Sequence, residues 1–234
     1  MAEQTVKRGV FYGVGIGPGD PELLTLKAVR VLEACRVIAA PQTHSGETLA
    51  LDIASRAVDL TGKKILPLYF SMARDRQQQR QAHLEAAQAV REELDRGEDV
   101  AMLNLGDVSI YATYSYLMEI LRGEGYETVM IPGVPSFCAV AARLGVSLTE
   151  MNSPLHIVPA GGGPLEETLE LPGTKVLMKS GRRIPQVLEA LEAHGLTEKS
   201  ALVRDCGLPT EEVCEDLRHP PEGTGYFATI IVKE

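Results

Sequence analysis

The sequence predicts a two-domain α/β protein, with a mostly parallel sheet in the first domain and a mixed sheet in the second. Three observations carry that expectation. Through the first half of the 234 residues, short apolar runs alternate with longer stretches of helical period, the signature of successive βα units. Beyond Gly133 the strand-like runs crowd together with fewer helices between them, and Pro220, Pro221 and Gly223 interrupt the last pair, which suggests an antiparallel return. Hydrophobic residues at 44% and charged residues at 24% are the balance of a chain that can bury a core. The boundary falls at Pro132 and Gly133, giving domains over 1–132 and 133–234.

In chain order, the candidate strands of the first domain are Val10 to Ile16, Val37 to Ala40, Lys64 to Tyr69, Val100 to Leu105 and Thr128 to Ile131. The helix after the first strand has the best-specified start. Asp20 sits where an N-cap belongs, Pro21 suits the first helical position, and Leu24, Ala28, Val31 and Cys35 recur as one apolar stripe. The polar, glutamine-rich segment from Ser71 to Gln81 reads either as a cap over a ligand or as the frayed start of a helix reaching Leu94. In the second domain the candidate strands are Leu155 to Pro159, Lys175 to Met178, Ala201 to Arg204, Val213 to Asp216 and Phe227 to Lys233. Gly161-Gly162-Gly163-Pro164 reads as a surface loop inside that domain.

Charge and cysteine usage exclude several classes. A net charge of -9 argues against a general binder of nucleic acid or of an anionic membrane. No apolar run approaches the roughly 20 residues that a bilayer span requires. Met1-Ala2-Glu3-Gln4 lacks the layout of a secretion signal, so the cytoplasm is the expected compartment. Cys35, Cys138, Cys206 and Cys214 show no CxxC spacing and the five histidines are dispersed, so neither a disulfide framework nor a bound metal is expected.

The first strand runs into Gly13-Val14-Gly15-Ile16-Gly17-Pro18-Gly19-Asp20. Such a turn admits close approach of a ligand or of neighbouring backbone. A dinucleotide reading fails on detail: counted from Gly13, the third glycine of GxGxxG falls on Pro18, and the second strand ends in Ala40-Pro41 with no acid for a ribose. The fourth strand empties into Gly106-Asp107-Val108-Ser109-Ile110-Tyr111, and the fifth ends in Pro132-Gly133-Val134-Pro135-Ser136-Phe137. Ligands collect at the carboxyl ends of strands in open α/β sheets. Three glycine-bearing turns at such ends suggest one shared crevice.

Taken in this order, these motifs resemble the tetrapyrrole methylase family over essentially the whole chain. More narrowly, Gly106 to Tyr111 continuing as Ala112-Thr113-Tyr114, together with Val176-Leu177-Met178-Lys179, resembles the precorrin-2 and cobalt-factor II C20-methyltransferases. Pro67 and Ser71-Met72 suit that branch, and Val108 stands where many members of the family carry proline.

The resemblance implies a class III methyltransferase-like fold with S-adenosylmethionine held in a cleft between the domains, largely by backbone groups. Pro18 would close its floor, and Gly106, Asp107, Val108 and Ile110 would line the methionine end, beside Ser136 and Phe137. Met178 and Cys206 would flank the adenosine, with Ala228 and Thr229 nearby. Asp107, Tyr111 and Tyr226 are the implied candidates for a base or orienting group. The implied substrate is cobalt-factor II, methylated at C20, with metal-free precorrin-2, another ring position or a non-catalytic tetrapyrrole carrier as alternatives. Because that macrocycle is a polycarboxylate, Arg74, Arg76 and Arg80 at the head of the helix reaching Leu94 and Lys179, Arg182 and Arg183 after Met178 are candidate contacts for its acids, although Arg80 reads better as part of a solvated helix face. The expected assembly is a homodimer.

Overall fold

Five of the apolar runs become the parallel strands of one sheet: β1 (Phe11–Gly15), β2 (Val37–Gln42), β3 (Lys64–Tyr69), β4 (Val100–Asn104) and β5 (Thr128–Ile131). The computed structural model describes residues 7–42, 48–70, 75–160, 165–180, 183–220 and 227–233. The chain divides into two compact units, Met1–Pro135 and Ser136–Glu234. Arg74, Arg182 and Tyr226 lie outside the described residues, as do Ser71-Met72, the Gly161 to Pro164 stretch and Pro221 to Gly225.

In the first unit the strand order is β3-β2-β4-β1-β5. β4 is buried at every position, as a central parallel strand covered on both faces must be. Between the strands run α1 (Leu26–Ala34), α2 (Leu49–Ala57), α3 (Arg76–Asp95) and α4 (Tyr114–Gly123). One core layer joins Val90 and Leu94 of α3 and Leu117 and Leu121 of α4 to Phe11, Val37 and Met102 of the sheet. Tyr114 is fully buried in it. Its hydroxyl lies 3.0 Å from the Phe11 carbonyl oxygen and 3.1 Å from that of Val129. A Cβ on Gly13 would come within 2.6 Å of its ring, so Gly13 is a packing glycine inside β1 and not part of a ligand turn.

The first helix begins later than its sequence signals suggest. Asp20 does cap, accepting from the Glu22 amide at 2.9 Å, but what it caps is a single 3-10 turn, Pro21–Leu23. Leu24 then returns to extended backbone, and Thr25 becomes the N-cap of α1, its hydroxyl accepting from the Ala28 amide at 3.1 Å. The re-phasing puts Ala28 and Leu32 at the buried positions of α1.

The second unit holds α5 (Ser136–Leu144), β6 (Leu155–Pro159), α6 (Leu165–Leu169), β7 (Thr174–Met178), α7 (Ile184–Ala193), β8 (Ser200–Arg204), β9 (Glu212–Cys214) and β10 (Ala228–Val232). Its sheet, ordered β6-β7-β10-β8-β9, is mixed: β6 and β7 are parallel, and β10 runs antiparallel to both β7 and β8. The antiparallel return expected around residue 220 is arranged differently. β9 folds back on β8, and β10 inserts between β7 and β8 without touching β9. Leu177, Val187, Leu191, Leu202 and Ile230 fill one face of this sheet, and Val140 and Ala141 of α5 meet Val203 and Ile231 on the other.

Candidate functional site

The strand order makes β4, β1 and β5 neighbours, so the three glycine turns that follow them emerge side by side at the carboxyl edge of the first sheet. They pack backbone to backbone. A Cβ on Gly133 would lie 2.3 Å from the Gly106 carbonyl oxygen and 2.8 Å from the Gly15 Cα, and one on Gly15 would lie 2.6 Å from the Gly133 nitrogen. Only glycine fits such an approach. Gly17 and Gly106 exchange amide-to-carbonyl hydrogen bonds at 3.2 and 2.8 Å, both in left-handed backbone, and half-buried Pro18 follows directly.

Asp107 ties this floor together. One carboxylate oxygen accepts from the Gly133 amide at 2.8 Å, and the other accepts from the Ser109 amide at 2.8 Å and from the Ser109 hydroxyl. Burial would raise the pKa of this carboxyl. The three hydrogen bonds outweigh that effect and hold it below the ordinary aspartate range. Thr25 adds a second tie, its hydroxyl donating to the Pro132 carbonyl at 3.3 Å.

Of the other expected residues in this unit, Val108 is buried within the core layer, which leaves its main chain as the group able to meet a ligand. Ile110 is half-buried. Tyr111 is exposed and sits in left-handed backbone at φ 50°, a conformation that strains a residue with a Cβ. Partial burial raises its phenol above the usual value.

In the second unit, β7 and β8 each pair antiparallel with β10 and therefore point the same way. Their carboxyl ends share an edge with the start of β10, which brings together half-buried Met178, buried Cys206, and Ala228 and Thr229, also buried. Lys179 and Asp205, the residues just past β7 and β8, are both left-handed, at φ 54° and 52°. Lys179 is exposed as a residue, yet desolvation lowers the pKa of its ammonium. Arg183 is exposed at the N-cap of α7. Ser136 opens α5, and Phe137 is 7% exposed.

The structure thus gathers Pro18, Gly106, Asp107, Val108 and Ile110 at one sheet edge, and Met178, Cys206, Ala228 and Thr229 at another. Gly15, Gly133 and Thr25 join the first group unforeseen. The glycines stood in the motifs, but nothing local tells which backbone each approaches. Among the described residues no group of three His, Cys, Asp or Glu side chains could hold a metal ion. A floor made of crowded main chain fits a cofactor held by backbone groups.

Comparison with known proteins points the same way. The sequence model of the tetrapyrrole (corrin/porphyrin) methylases matches residues 10–219. A probable cobalt-precorrin-2 C(20)-methyltransferase of Methanocaldococcus jannaschii is 35% identical over 170 residues, 72% of this chain and 71% of that one. The cobalt-precorrin-2 C(20)-methyltransferase of Salmonella typhimurium is 28% identical over 233 residues, 97% of each chain. Among solved structures, a cobalt precorrin-4 methyltransferase superposes with a TM-score of 0.76 at 22% identity, covering 96% of this chain and 94% of that one. The uroporphyrin-III C-methyl transferase of Thermus thermophilus complexed with S-adenyl homocysteine has a TM-score of 0.66 at 23% identity, covering 97% and 98%.

Proposed function

The chain belongs to the tetrapyrrole (corrin/porphyrin) methylases, and from that premise we propose that it transfers a methyl group from S-adenosylmethionine to C20 of cobalt-factor II in cobalamin synthesis. The observation that carries this reading is the backbone floor of Gly15, Gly106 and Gly133, seen together with the similarity to C20-methyltransferases over 72% and 97% of the chain. A homodimer working in the cytoplasm belongs to the same reading and is supported by the family resemblance.

When bound, S-adenosylmethionine supplies the electrophilic methyl group, so the chain needs no side-chain nucleophile. Gly106, Val108 and Ile110 would hold the methionine end through their main chain, with Pro18 closing the floor. In the second unit, Met178, Cys206, Ala228 and Thr229 would meet the adenosine. The work left to these residues is to align the acceptor carbon with the methyl and to exclude water. Lys179 and Arg183 supply cationic groups for the acetates and propionates of the macrocycle.

Calorimetry with S-adenosylhomocysteine, followed by NMR of the ring position methylated in cobalt-factor II and in metal-free precorrin-2, tests the reading. Micromolar cofactor binding and a C20-methylated product are expected. A different ring position, or no cofactor binding, refutes it.

The loss of a proton from C20 sets a further expectation. Asp107 is held below the ordinary carboxyl range and Tyr111 above the ordinary phenol value, so neither changes charge near neutrality. Whether the proton passes to ionised Asp107 or to solvent, kcat/KM between about pH 6.5 and 8.5 is expected to be flat, since the ordinary values are about 4 and about 10. A limb with a midpoint near 7 would reveal a base other than these two.

A further inference from the structure

A second feature stands at the same end of the first unit as the glycine floor. α3 has 20 residues and β4 has five, lengths of about 30 Å and about 17 Å. Because α3 ends at Asp95, only a short turn before Val100, its surplus length lies at its N-terminal end, beyond the carboxyl edge of the sheet. Burial agrees: the buried residues of α3 begin at Ala86. On this overhang, positions 76, 80, 83 and 87 fall within about 60° of one another around the helix. Ala87 is fully buried, His83 half-buried, and Arg80 and Arg76 exposed. Neither arginine forms an ion pair with a described residue.

His83 does not end that stripe in solvent. Its imidazole stacks on Tyr116 in the first turns of α4, with ring centroids 4.5 Å apart and planes 11° apart, and Phe70 at the end of β3 backs it at 6.0 Å. Burial lowers the imidazole's pKa, so the pair is a neutral aromatic stack at neutral pH. Tyr116 nevertheless remains 53% exposed. A buttressed, open aromatic ring, with Arg80 and Arg76 about one and two turns along α3 from the His83 that supports it and neither paired with a described residue, matches a flat conjugated ring that carries carboxylates at its rim.

We propose that Tyr116, stacked on His83, is a platform for the tetrapyrrole macrocycle, with Arg76 and Arg80 binding its peripheral carboxylates. The proposal rests on the functional reading above for the identity of its occupant.

Uroporphyrin, a polycarboxylate porphyrin, serves as the binding probe through its fluorescence, and calorimetry with S-adenosylhomocysteine reports the cofactor site separately. Tyr116→Ala is expected to weaken uroporphyrin binding about tenfold, a loss of ~1.4 kcal/mol. Tyr116→Phe, which keeps the ring, should stay within about twofold of wild type. The Arg76→Gln/Arg80→Gln double variant should weaken binding and flatten its salt dependence. All three should keep wild-type affinity for S-adenosylhomocysteine. The proposal is overturned if wild type does not bind uroporphyrin, if Tyr116→Ala binds it as tightly as wild type, or if that variant changes oligomeric state, which would make Tyr116 a contact between copies. Should wild type bind uroporphyrin yet methylate no precorrin-2-type ring, the functional reading fails while the platform stands.

Discussion

Gly133→Ala is expected to destabilise the first unit by about 3 kcal/mol or more and to abolish measurable S-adenosylhomocysteine binding. The new methyl would occupy space 2.3 Å from the Gly106 carbonyl oxygen and 2.8 Å from the Gly15 Cα, and neither obstacle is a side chain that could swing aside. The only relief is to separate the turns that follow β1, β4 and β5, which opens the floor. Thermal denaturation should show the first unit melting roughly 10 °C lower. Gly123→Ala is the matched control. An added Cβ there meets nothing within 4 Å, and at the last position of α4 it should be neutral or stabilising by up to ~1 kcal/mol. Equal behaviour of the two variants would mean that the backbone contact is not what shapes the site.

The second large effect is expected at Asp107. Asp107→Ala leaves the Gly133 and Ser109 amides without their acceptor, at a cost of about 1–3 kcal/mol. Asp107→Asn can replace one carboxylate oxygen but not both, because its amide nitrogen donates. If Asp107 holds the floor, both variants lose affinity for S-adenosylhomocysteine, and Asn retains more activity than Ala. If it is the base, Asn should lose kcat with cofactor affinity intact, which would contradict the holding role. The direction of the pH effect follows from its lowered pKa. A carboxyl whose folded pKa is depressed contributes stability above its unfolded value of about 3.9, and that contribution is lost as pH falls through the folded value. Wild type should therefore lose more stability than Asp107→Asn on acidification below about pH 4, as read by denaturant titration at pH 7 and pH 3.

Which parts of this architecture were legible in the sequence follows from how local their causes are. β4 and β10 are buried along their whole length, so their apolar runs announce them directly. The start of α1 is not legible at Asp20, because an Asp-Pro pair caps a 3-10 turn and an α-helix alike, and the deciding second cap, Thr25, lies five residues further on. The neighbours of β10 were not legible, since a strand's place in a mixed sheet is set by packing across the whole unit. The same holds for the site. Asp107 advertises itself in a Gly-Asp turn, but its partner Gly133 is 26 residues away. The stack of His83 on Tyr116 joins two helices and leaves no periodic trace in either.

The place of β1 in its sheet has a consequence for biogenesis. β1 is made first, yet both strands that flank it, β4 and β5, come from the stretch between Val100 and Ile131. Until β4 has been synthesised the first strand has two open edges, and until β5 follows it keeps one; its closure must bring together segments nearly a hundred residues apart, a slow and aggregation-exposed step. The glycine floor cannot exist before that step, because it needs all three turns at once. Capture of S-adenosylhomocysteine by a refolding chain would therefore time the completion of the first sheet, serving as a clock for assembly as well as a measure of affinity.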